Sequence, residues 1–89
     1  MAIVTMRYWA AAKDAAGVSE QQVTAETLAA ALAAALAAAT ATGHDAELQV
    51  VLTRCSFLVD GTPVGRRAPE SVQLSDHNVI EVLPPFAGG

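Results

Sequence analysis

The stretch that decides the fold is LAAALAAALAAA, residues 28–39, which is built only from leucine and alanine. Alanine is the strongest intrinsic helix former, so this segment predicts a helix despite its low complexity. It is shorter than the ~20 residues that a membrane-spanning helix needs. Leu28, Leu32 and Leu36 recur every four residues and therefore form one stripe along the helix. We interpret the stripe as core rather than as a seam for a partner helix, because sustained heptads are absent.

Signals for the start and the end of this helix lie on both sides of the stretch. Thr24 is predicted to be the N-cap, and Glu26 in the first turn complements the positive end of the helix. Gly43 is predicted to stop the helix at its C-terminal end. The sequence therefore predicts one long helix that begins near Thr24 and ends before Gly43.

Strand-like segments surround the helix. In the first of them, Val4, Met6 and Tyr8 fall on one face and Thr5 and Arg7 on the other, as expected for a strand with one buried side. Further strands are predicted at 18–23 (an edge strand), at 55–59 with a hairpin turn after it, weakly at 71–74, and at 79–83. Short helical segments are predicted at 10–17 and 47–52.

Strands on both sides of one major helix predict an α+β fold with the helix packed across one face of the sheet. This layout is similar to the ubiquitin-like β-grasp, with a mixed sheet of about five strands. In such a fold the first and last strands lie side by side at the sheet centre. We therefore predict a β-grasp domain over 1–83 and an extended C-terminal Gly-Gly tail over 84–89.

The composition limits the classes of function that the protein can have. With 89 residues, 53% of them hydrophobic, the chain has the size and composition of one folded domain. Its net charge of -4 argues against nucleic-acid binding and against an anionic membrane surface. A single cysteine excludes an intramolecular disulfide framework. No signal peptide is recognisable, so a cytoplasmic location is expected.

Side chains suited to catalysis are sparse. His44 and His77 lie far apart in turn-like segments, and we interpret them as exposed residues rather than metal ligands or acid–base groups. Cys55 opens an apolar strand, where a cysteine usually behaves as a small buried hydrophobe. Arg66 and Arg67 form a small basic spot that suits a solvated loop or a partner contact. We predict no metal site in this chain.

The C-terminal segment has a different character. Two prolines stiffen its base in an extended conformation, an aromatic ring offers an apolar anchor, and two glycines without side chains allow the terminal carboxylate to enter a narrow channel of a partner. An unused, frayed terminus is the alternative. The sequence therefore predicts a reactive carboxylate at Gly89 and a partner-binding arm formed by Pro84, Pro85, Phe86, Ala87 and Gly88.

These features resemble the small sulfur-carrier subunit of molybdopterin synthase, the MoaD-like, ubiquitin-related proteins. The segment 79–89 resembles the closing strand and Pro-Pro-x-x-Gly-Gly tail of that family, and residues 7–10 with Gly17 resemble its first strand and turn. Residues 58–61 resemble its middle hairpin, although Asp60 stands where family members often have Asn. The last turn reads Asp76-His77-Asn78 instead of the common Asp-Gly-Asp.

The resemblance implies a carrier that is not catalytic alone and binds no cofactor itself. An adenylyltransferase resembling ubiquitin-activating enzymes would use ATP to adenylate the Gly89 carboxylate, and a sulfur donor protein would then give a thiocarboxylate. The tail would enter the large subunit of molybdopterin synthase, in a heterotetramer, where sulfur builds the dithiolene of molybdopterin. Partner binding is expected to use the tail and an exposed apolar patch on the sheet that includes Phe57 or Trp9.

Several alternatives stay open at this point. A sister carrier would serve thiamine, cysteine or tRNA thiolation, although the double proline favours the molybdopterin branch. A ubiquitin-like binding module would have a tail that is never activated. A self-contained sulfurtransferase would use Cys55 as its nucleophile.

Overall fold

The computed structural model describes residues 2–85. Five strands, three α-helices and one 3-10 turn follow one another along this part of the chain. Their bounds are β1 Ala2–Tyr8, α1 Ala10–Ala16, β2 Glu20–Ala25, α2 Leu28–Thr40, α3 Asp45–Leu52, β3 Ser56–Val59, β4 Thr62–Pro63, the 3-10 turn Pro69–Ser71 and β5 Val79–Leu83.

The five strands form one mixed sheet in the order β2-β1-β5-β3-β4. The first and last strands, β1 and β5, lie parallel to each other at its centre, with Thr5 opposite Val79 and Tyr8 opposite Val82. All other neighbours are antiparallel. The prediction of a β-grasp sheet with central first and last strands is confirmed, and so is the edge position of β2.

Side chains along the central strands point alternately to the two sides of the sheet, so that helices cover one face and leave the other open. Val4, Met6 and Ile80 are completely buried under the helices, which confirms the predicted inward side of β1 and identifies the inward side of β5. Their neighbours in sequence point the other way, and the side chain of Ile3 is 51% exposed. We call this second side the open face.

The predicted fold has one long helix across the sheet, whereas the helix layer contains three helices. The two additional helices, α1 and α3, lie where short helical segments are predicted at 10–17 and 47–52. The long helix α2 begins after Thr27, whose side-chain oxygen accepts a hydrogen bond from the Ala30 backbone N–H at 3.1 Å. The prediction of Thr24 as N-cap is wrong, because Thr24 belongs to β2 and pairs with Ile3. Near Gly43 the chain turns with a positive φ of 78°, so the predicted stop is confirmed.

The buried side of α2 consists mainly of alanines. Leu28, Ala31, Ala35 and Ala39 are buried, whereas Leu32 and Leu36 are only partly buried at the margin of the core. The predicted leucine stripe is therefore corrected to a stripe of one leucine and three alanines. Small side chains allow the helix axis to approach the sheet and α3 closely, and the larger leucines fill the edges of that contact.

The segment 71–74 was predicted as a weak strand, and this prediction is wrong. The Leu28 N–H donates to the Val72 oxygen at 3.0 Å, and the Leu74 N–H donates to the Glu26 oxygen at 2.9 Å. Only Gln73 forms a bridge, with Thr27. The segment therefore pairs with the loop that starts α2 instead of extending the sheet. Within residues 2–85 no helix is long and apolar enough to cross a membrane.

Candidate functional site

The site that the sequence points to begins where β5 ends. Strand β5 has neighbours on both sides, and Pro84 follows it directly. Proline has no N–H to donate to a neighbouring strand, and β5 ends at Leu83, directly before it. Pro84 is buried and Pro85 is exposed, so the described chain leaves the domain between these two residues. This point is the base of the tail.

One side of the tail base is formed by the connection from β1 to α1. The Trp9 N–H donates to the Val82 oxygen at 3.2 Å, which extends the parallel pairing by one bond. Ala10 then has a positive φ of 48°, a left-handed conformation that favours glycine. This sharp turn begins α1 beside the tail base and leaves the Trp9 ring 45% exposed.

The other side of the tail base is formed by the start of β3, where Ser56 lies opposite Leu83. Phe57 lies opposite Val82, and directly opposite residues share a face. Because Val82 is buried, Phe57 faces the helix layer, where it is partly buried. Of the two aromatic residues expected on an exposed sheet patch, Trp9 is exposed at the tail base and Phe57 belongs to the margin of the core.

The thiol of Cys55 lies just before β3. Its sulfur donates to the Val51 carbonyl oxygen at 3.2 Å, and the residue is partly buried. Burial raises the pKa of the Cys55 thiol above its ordinary value. A protonated thiol is a weak nucleophile, so this environment favours the interpretation of Cys55 as a structural residue.

The remaining candidates do not form a common site. His44 precedes α3 and lies against Gly17, whereas His77 is in the turn before β5. No group of three metal-ligating side chains occurs in the part of the chain that the structure describes. The Arg67 side chain donates to the carbonyls of Val64 and Pro63 and so fixes the loop after β4, and Arg66 is exposed beside it.

The open face carries charge close to the tail base. Arg7 forms an ion pair with Glu20 at 2.9 Å, and on its other side it lies opposite Glu81 of β5. Both partners of the ion pair are well exposed, so its effect on stability is small. The face combines this charged row with the exposed side chain of Ile3. The row is not visible in the sequence, because it requires the register of three strands.

Burial also changes the pKa of Tyr8, the one tyrosine of the chain. Tyr8, the last residue of β1, is 2% exposed, and its hydroxyl donates to the side-chain oxygen of Gln21. Burial raises the pKa of this hydroxyl from its ordinary value of 10.0 to about 12. The group is therefore neutral at physiological pH and keeps the end of β1 packed.

Not all predicted site residues fall within the described residues. Pro84 and Pro85 do, and they lie at the tail base. Gly89, predicted to be the reactive residue, and Phe86, Ala87 and Gly88 of the predicted partner-binding arm lie outside the described residues. Their roles stay predictions.

Comparison with solved structures supports the fold along the whole chain. The solution structure of small archaeal modifier protein 1 from Methanosarcina acetivorans matches with a TM-score of 0.80 at 22% identity, covering 100% of this chain and 98% of that one. A putative molybdopterin converting factor, subunit 1, from Pyrococcus furiosus matches with a TM-score of 0.72 at 16% identity, covering 97% and 100%.

A third similar structure is a complex. It contains subunits 1 and 2 of the molybdopterin-converting factor from Helicobacter pylori, and matches with a TM-score of 0.66 at 21% identity, covering 98% of this chain and 99% of that one. At these identities the structures show a common fold. A comparison with functionally curated proteins finds no match.

The arrangement of a β-grasp sheet, a helix layer and a central last strand defines a small ubiquitin-like protein. The model of the ThiS family matches residues 6–89. The chain belongs to the ThiS family, a family of ubiquitin-like sulfur carriers. The resemblance to these carriers predicted from the sequence is thereby confirmed.

Proposed function

We propose that this protein is the sulfur-carrier subunit of a molybdopterin synthase and carries sulfur as a thiocarboxylate on Gly89. The observation that carries the proposal is the ThiS family match, which runs from Met6 through β5 to Gly89 and so includes the tail. In this proposal the reactive carboxylate belongs to Gly89, and the chain is not catalytic alone. It supplies one reactive group, and its partners supply the catalysis.

The geometry at the tail base supports this role. Pro84 is buried next to a central strand, so the tail is attached at a point that pairs with strands on both sides. Pro85 is exposed, and its ring fixes its own φ and restricts the residue before it, so the base of the arm is stiff. A restricted arm loses less entropy when it enters a partner. The domain therefore offers a firm base from which residues 86–89 can be presented.

The chemistry of the tail requires two partners before sulfur is delivered. A carboxylate is a poor electrophile, so an adenylyltransferase resembling ubiquitin-activating enzymes would consume ATP and convert it to an acyl adenylate. A persulfide on a sulfur donor protein then displaces AMP and forms an acyl disulfide. A second thiol cleaves its S–S bond, which leaves the thiocarboxylate on the carrier and a disulfide on the donor. No cofactor is bound by the carrier itself in this scheme. An enclosed site in the partner protects the activated end from water.

The final partner in this proposal is the large subunit of the synthase. The Helicobacter pylori structure contains subunits 1 and 2 of its converting factor together, which supports a partner of this kind. We propose a heterotetramer of large and small subunits, in which the tail, the exposed Trp9 and the open face contact the large subunit. With its net charge of -4 the protein is proposed to act in the cytoplasm without nucleic-acid or membrane partners.

A second candidate is favoured by a separate observation. The match to a small archaeal modifier protein has a TM-score of 0.80. A modifier would undergo the same adenylation, but a lysine amine of a target protein would displace AMP and form an isopeptide bond. Sister carriers for thiamine, cysteine or tRNA thiolation share the thiocarboxylate and differ in the enzyme that receives its sulfur.

A reconstituted transfer assay tests the proposal. The sulfur-loaded protein is mixed either with a large molybdopterin-synthase subunit and its pyranopterin precursor, or with a thiazole synthase and its substrates. The proposal expects dithiolene formation in the first mixture and no thiazole in the second. Sulfur delivery only to the thiazole synthase, or isopeptide conjugates in place of transfer, would show that another branch of the family is correct.

Two variants distinguish the role of the C-terminal tail in sulfur transfer from that of the Cys55 thiol. Deletion of Gly88 and Gly89 is expected to abolish loading and leave the unfolding curve unchanged. The variant Cys55→Ala is expected to retain sulfur transfer. Loss of transfer in Cys55→Ala with a normal unfolding curve would favour the self-contained sulfurtransferase, and normal activity of the deletion variant would favour a binding module whose tail is never activated.

A further inference from the structure

A groove of about 510 Å³ runs between α1 and α3. Its floor is apolar. Ala11 and Ala15 contribute from α1, and Ala46, Val50 and Val51 contribute from α3. Such a groove between two helices has the shape that receives a third helix.

The floor is more apolar than the fold requires. Helix α3 already buries Leu48 and Leu52 in the core, yet Val50 is 58% exposed on its outer side. Ala11 and Ala46 are exposed as well, and their small side chains let another backbone approach closely. Together these residues form one contiguous exposed apolar surface between α1 and α3.

The rim of the groove is acidic. Asp14 of α1 and Glu47 of α3 lie along it, and no Lys, Arg or His within residues 2–85 lines it. Lys13 lines a neighbouring cleft at the end of β1, which Asp14 also lines, but the one ion pair among the described residues joins Arg7 to Glu20 and leaves Asp14 without a partner in it. The groove therefore presents an apolar floor between carboxylates without a compensating cation.

We propose that this groove binds an amphipathic helix of a partner protein, with short aliphatic side chains on the floor and flanking lysines or arginines opposite Asp14 and Glu47. Charge complementarity selects this occupant. A second copy of this chain, with its net charge of -4, would bring like charges together. The chain's own carboxylate terminus would also add negative charge next to this rim.

The location of the groove makes this function separate from sulfur transfer. All residues that line the groove belong to α1 and α3 and none belongs to the sheet, so a helix in the groove leaves the open face free. Ala11 follows closely after Trp9, whose N–H bonds to Val82 at the tail base. A protein docked through this groove would therefore be held close to the tail without covering the open face.

Two synthetic helical peptides test the proposal on the full-length protein. Both carry the same alanine and leucine face; one has lysines on its flanks and the other glutamates. Amide chemical shifts recorded during titration map the contact. The lysine peptide is expected to shift the amides of Ala11, Ala15, Ala46 and Val50 and to bind more weakly at high salt, and the glutamate peptide is expected not to bind.

Matched variants distinguish the contribution of the apolar floor to peptide binding from the contribution of the acidic rim. Val50→Glu is expected to weaken binding about tenfold, the effect of losing one buried aliphatic side chain. Glu47→Lys is expected to weaken binding about threefold, as for one exposed charge pair. Val18→Glu and Glu70→Lys, at exposed positions outside the groove, are the controls and should bind as the unmodified protein does.

Four outcomes would overturn the proposal: no binding of the lysine peptide, equal binding of both peptides, shifts confined to the open face, or equal weakening by the control variants. Sedimentation provides an independent check on the occupant. If the free protein forms a dimer that Val50→Glu dissociates, the groove belongs to a second copy and the proposal is wrong.

Discussion

The two ends of strand β5 are held in different ways. At its beginning, the Asp60 carboxylate accepts hydrogen bonds from the Val79 N–H at 2.8 Å and from the Asn78 side chain at 2.6 Å. Asn78 in turn accepts from the Ser75 N–H at 2.7 Å. At its end, no described side chain hydrogen-bonds to residues 82–85, and a backbone bond from Trp9 together with the burial of Pro84 holds the chain.

Strand β5 therefore has a structural end, which polar side chains hold in place, and a functional end, from which the tail begins. Polar side chains at the beginning fix the register of β5 against the hairpin and β1. The end is held by packing and backbone pairing alone, which leaves no charged group attached to the tail base. The departures from the related carriers, Asp60 and the turn Asp76-His77-Asn78, fall at the structural end. The Asp76 carboxylate accepts there from the Ile3 N–H at 2.8 Å.

The largest stability effect that tests this comparison is the alkaline titration of Tyr8 at the packed end. Because burial raises the pKa of its hydroxyl to about 12 from 10.0, its contribution to the free energy of unfolding is complete below pH 10 and is lost as pH rises towards 12. The expected loss is about 2–3 kcal/mol. Tyr8 is the only tyrosine, so its ultraviolet absorbance reports its ionisation directly.

The control for that titration is Tyr8→Phe. The difference in unfolding free energy between the two proteins removes the contribution of Cys55, whose thiol pKa is also raised by burial. If the difference in unfolding free energy between the two proteins stays constant between pH 9 and 12, the end of β1 is exposed to solvent rather than packed.

The next effect in size concerns the polar end. Asp60→Ala removes the acceptor for two donors and is expected to lower the free energy of unfolding by about 1–2 kcal/mol. Urea unfolding measures it, and Asp14→Ala, which removes an exposed carboxylate without a described hydrogen bond, is the matched control. Asp60→Asn keeps an oxygen for the Val79 N–H and should recover part of the loss. If Asp60→Ala is as stable as the control, the network does not hold this end of β5.

A smaller effect is expected at the tail base from the two prolines. Both Pro84→Ala and Pro85→Ala increase the entropy of the unfolded chain, but only Pro84 is buried. We expect Pro84→Ala to cost about 1 kcal/mol more than Pro85→Ala, measured by urea unfolding. Equal costs would show that burial of Pro84 does not anchor the tail.

The smallest effect is expected at Ala10, beside the tail base. Its positive φ of 48° is unfavourable for alanine and accessible to glycine. Relief of this strain exceeds the added entropy of the unfolded chain, so Ala10→Gly should raise the free energy of unfolding by about 0.5 kcal/mol. The midpoint of thermal unfolding should rise accordingly, and a lower midpoint would contradict the strained turn.

The sequence predicts those parts of the fold that depend on local periodicity. The alternation of Val4, Met6 and Tyr8 identifies the buried side of β1, and Asp60-Gly61 identifies the hairpin turn. The buried side of α2 was predicted incorrectly, because a helix of only leucine and alanine has no polar side to mark its exposed face. Thr24 and Thr27 are equally suitable caps, and the choice depends on how far β2 pairs with β1.

The candidate site, like the fold, can be predicted from the sequence only in part. Pro84 and the tail after it can be identified from composition, since Pro-Pro and Gly-Gly have distinct backbone properties. The surroundings of the tail base cannot, because Trp9 and Ser56 approach it only through the pairing of β1 and β3 with β5. The groove between α1 and α3 likewise depends on the packing of two short helices that lie far apart in sequence.

The central claim, that this domain presents a C-terminal glycine for sulfur loading, is tested most directly by intact mass spectrometry. The protein is measured before and after incubation with an adenylyltransferase, ATP and a sulfur donor protein. The account predicts a mass increase equal to the exchange of one oxygen for one sulfur, located at Gly89 by fragmentation. No increase with a partner that loads a known carrier, or an increase located at Cys55, would contradict it.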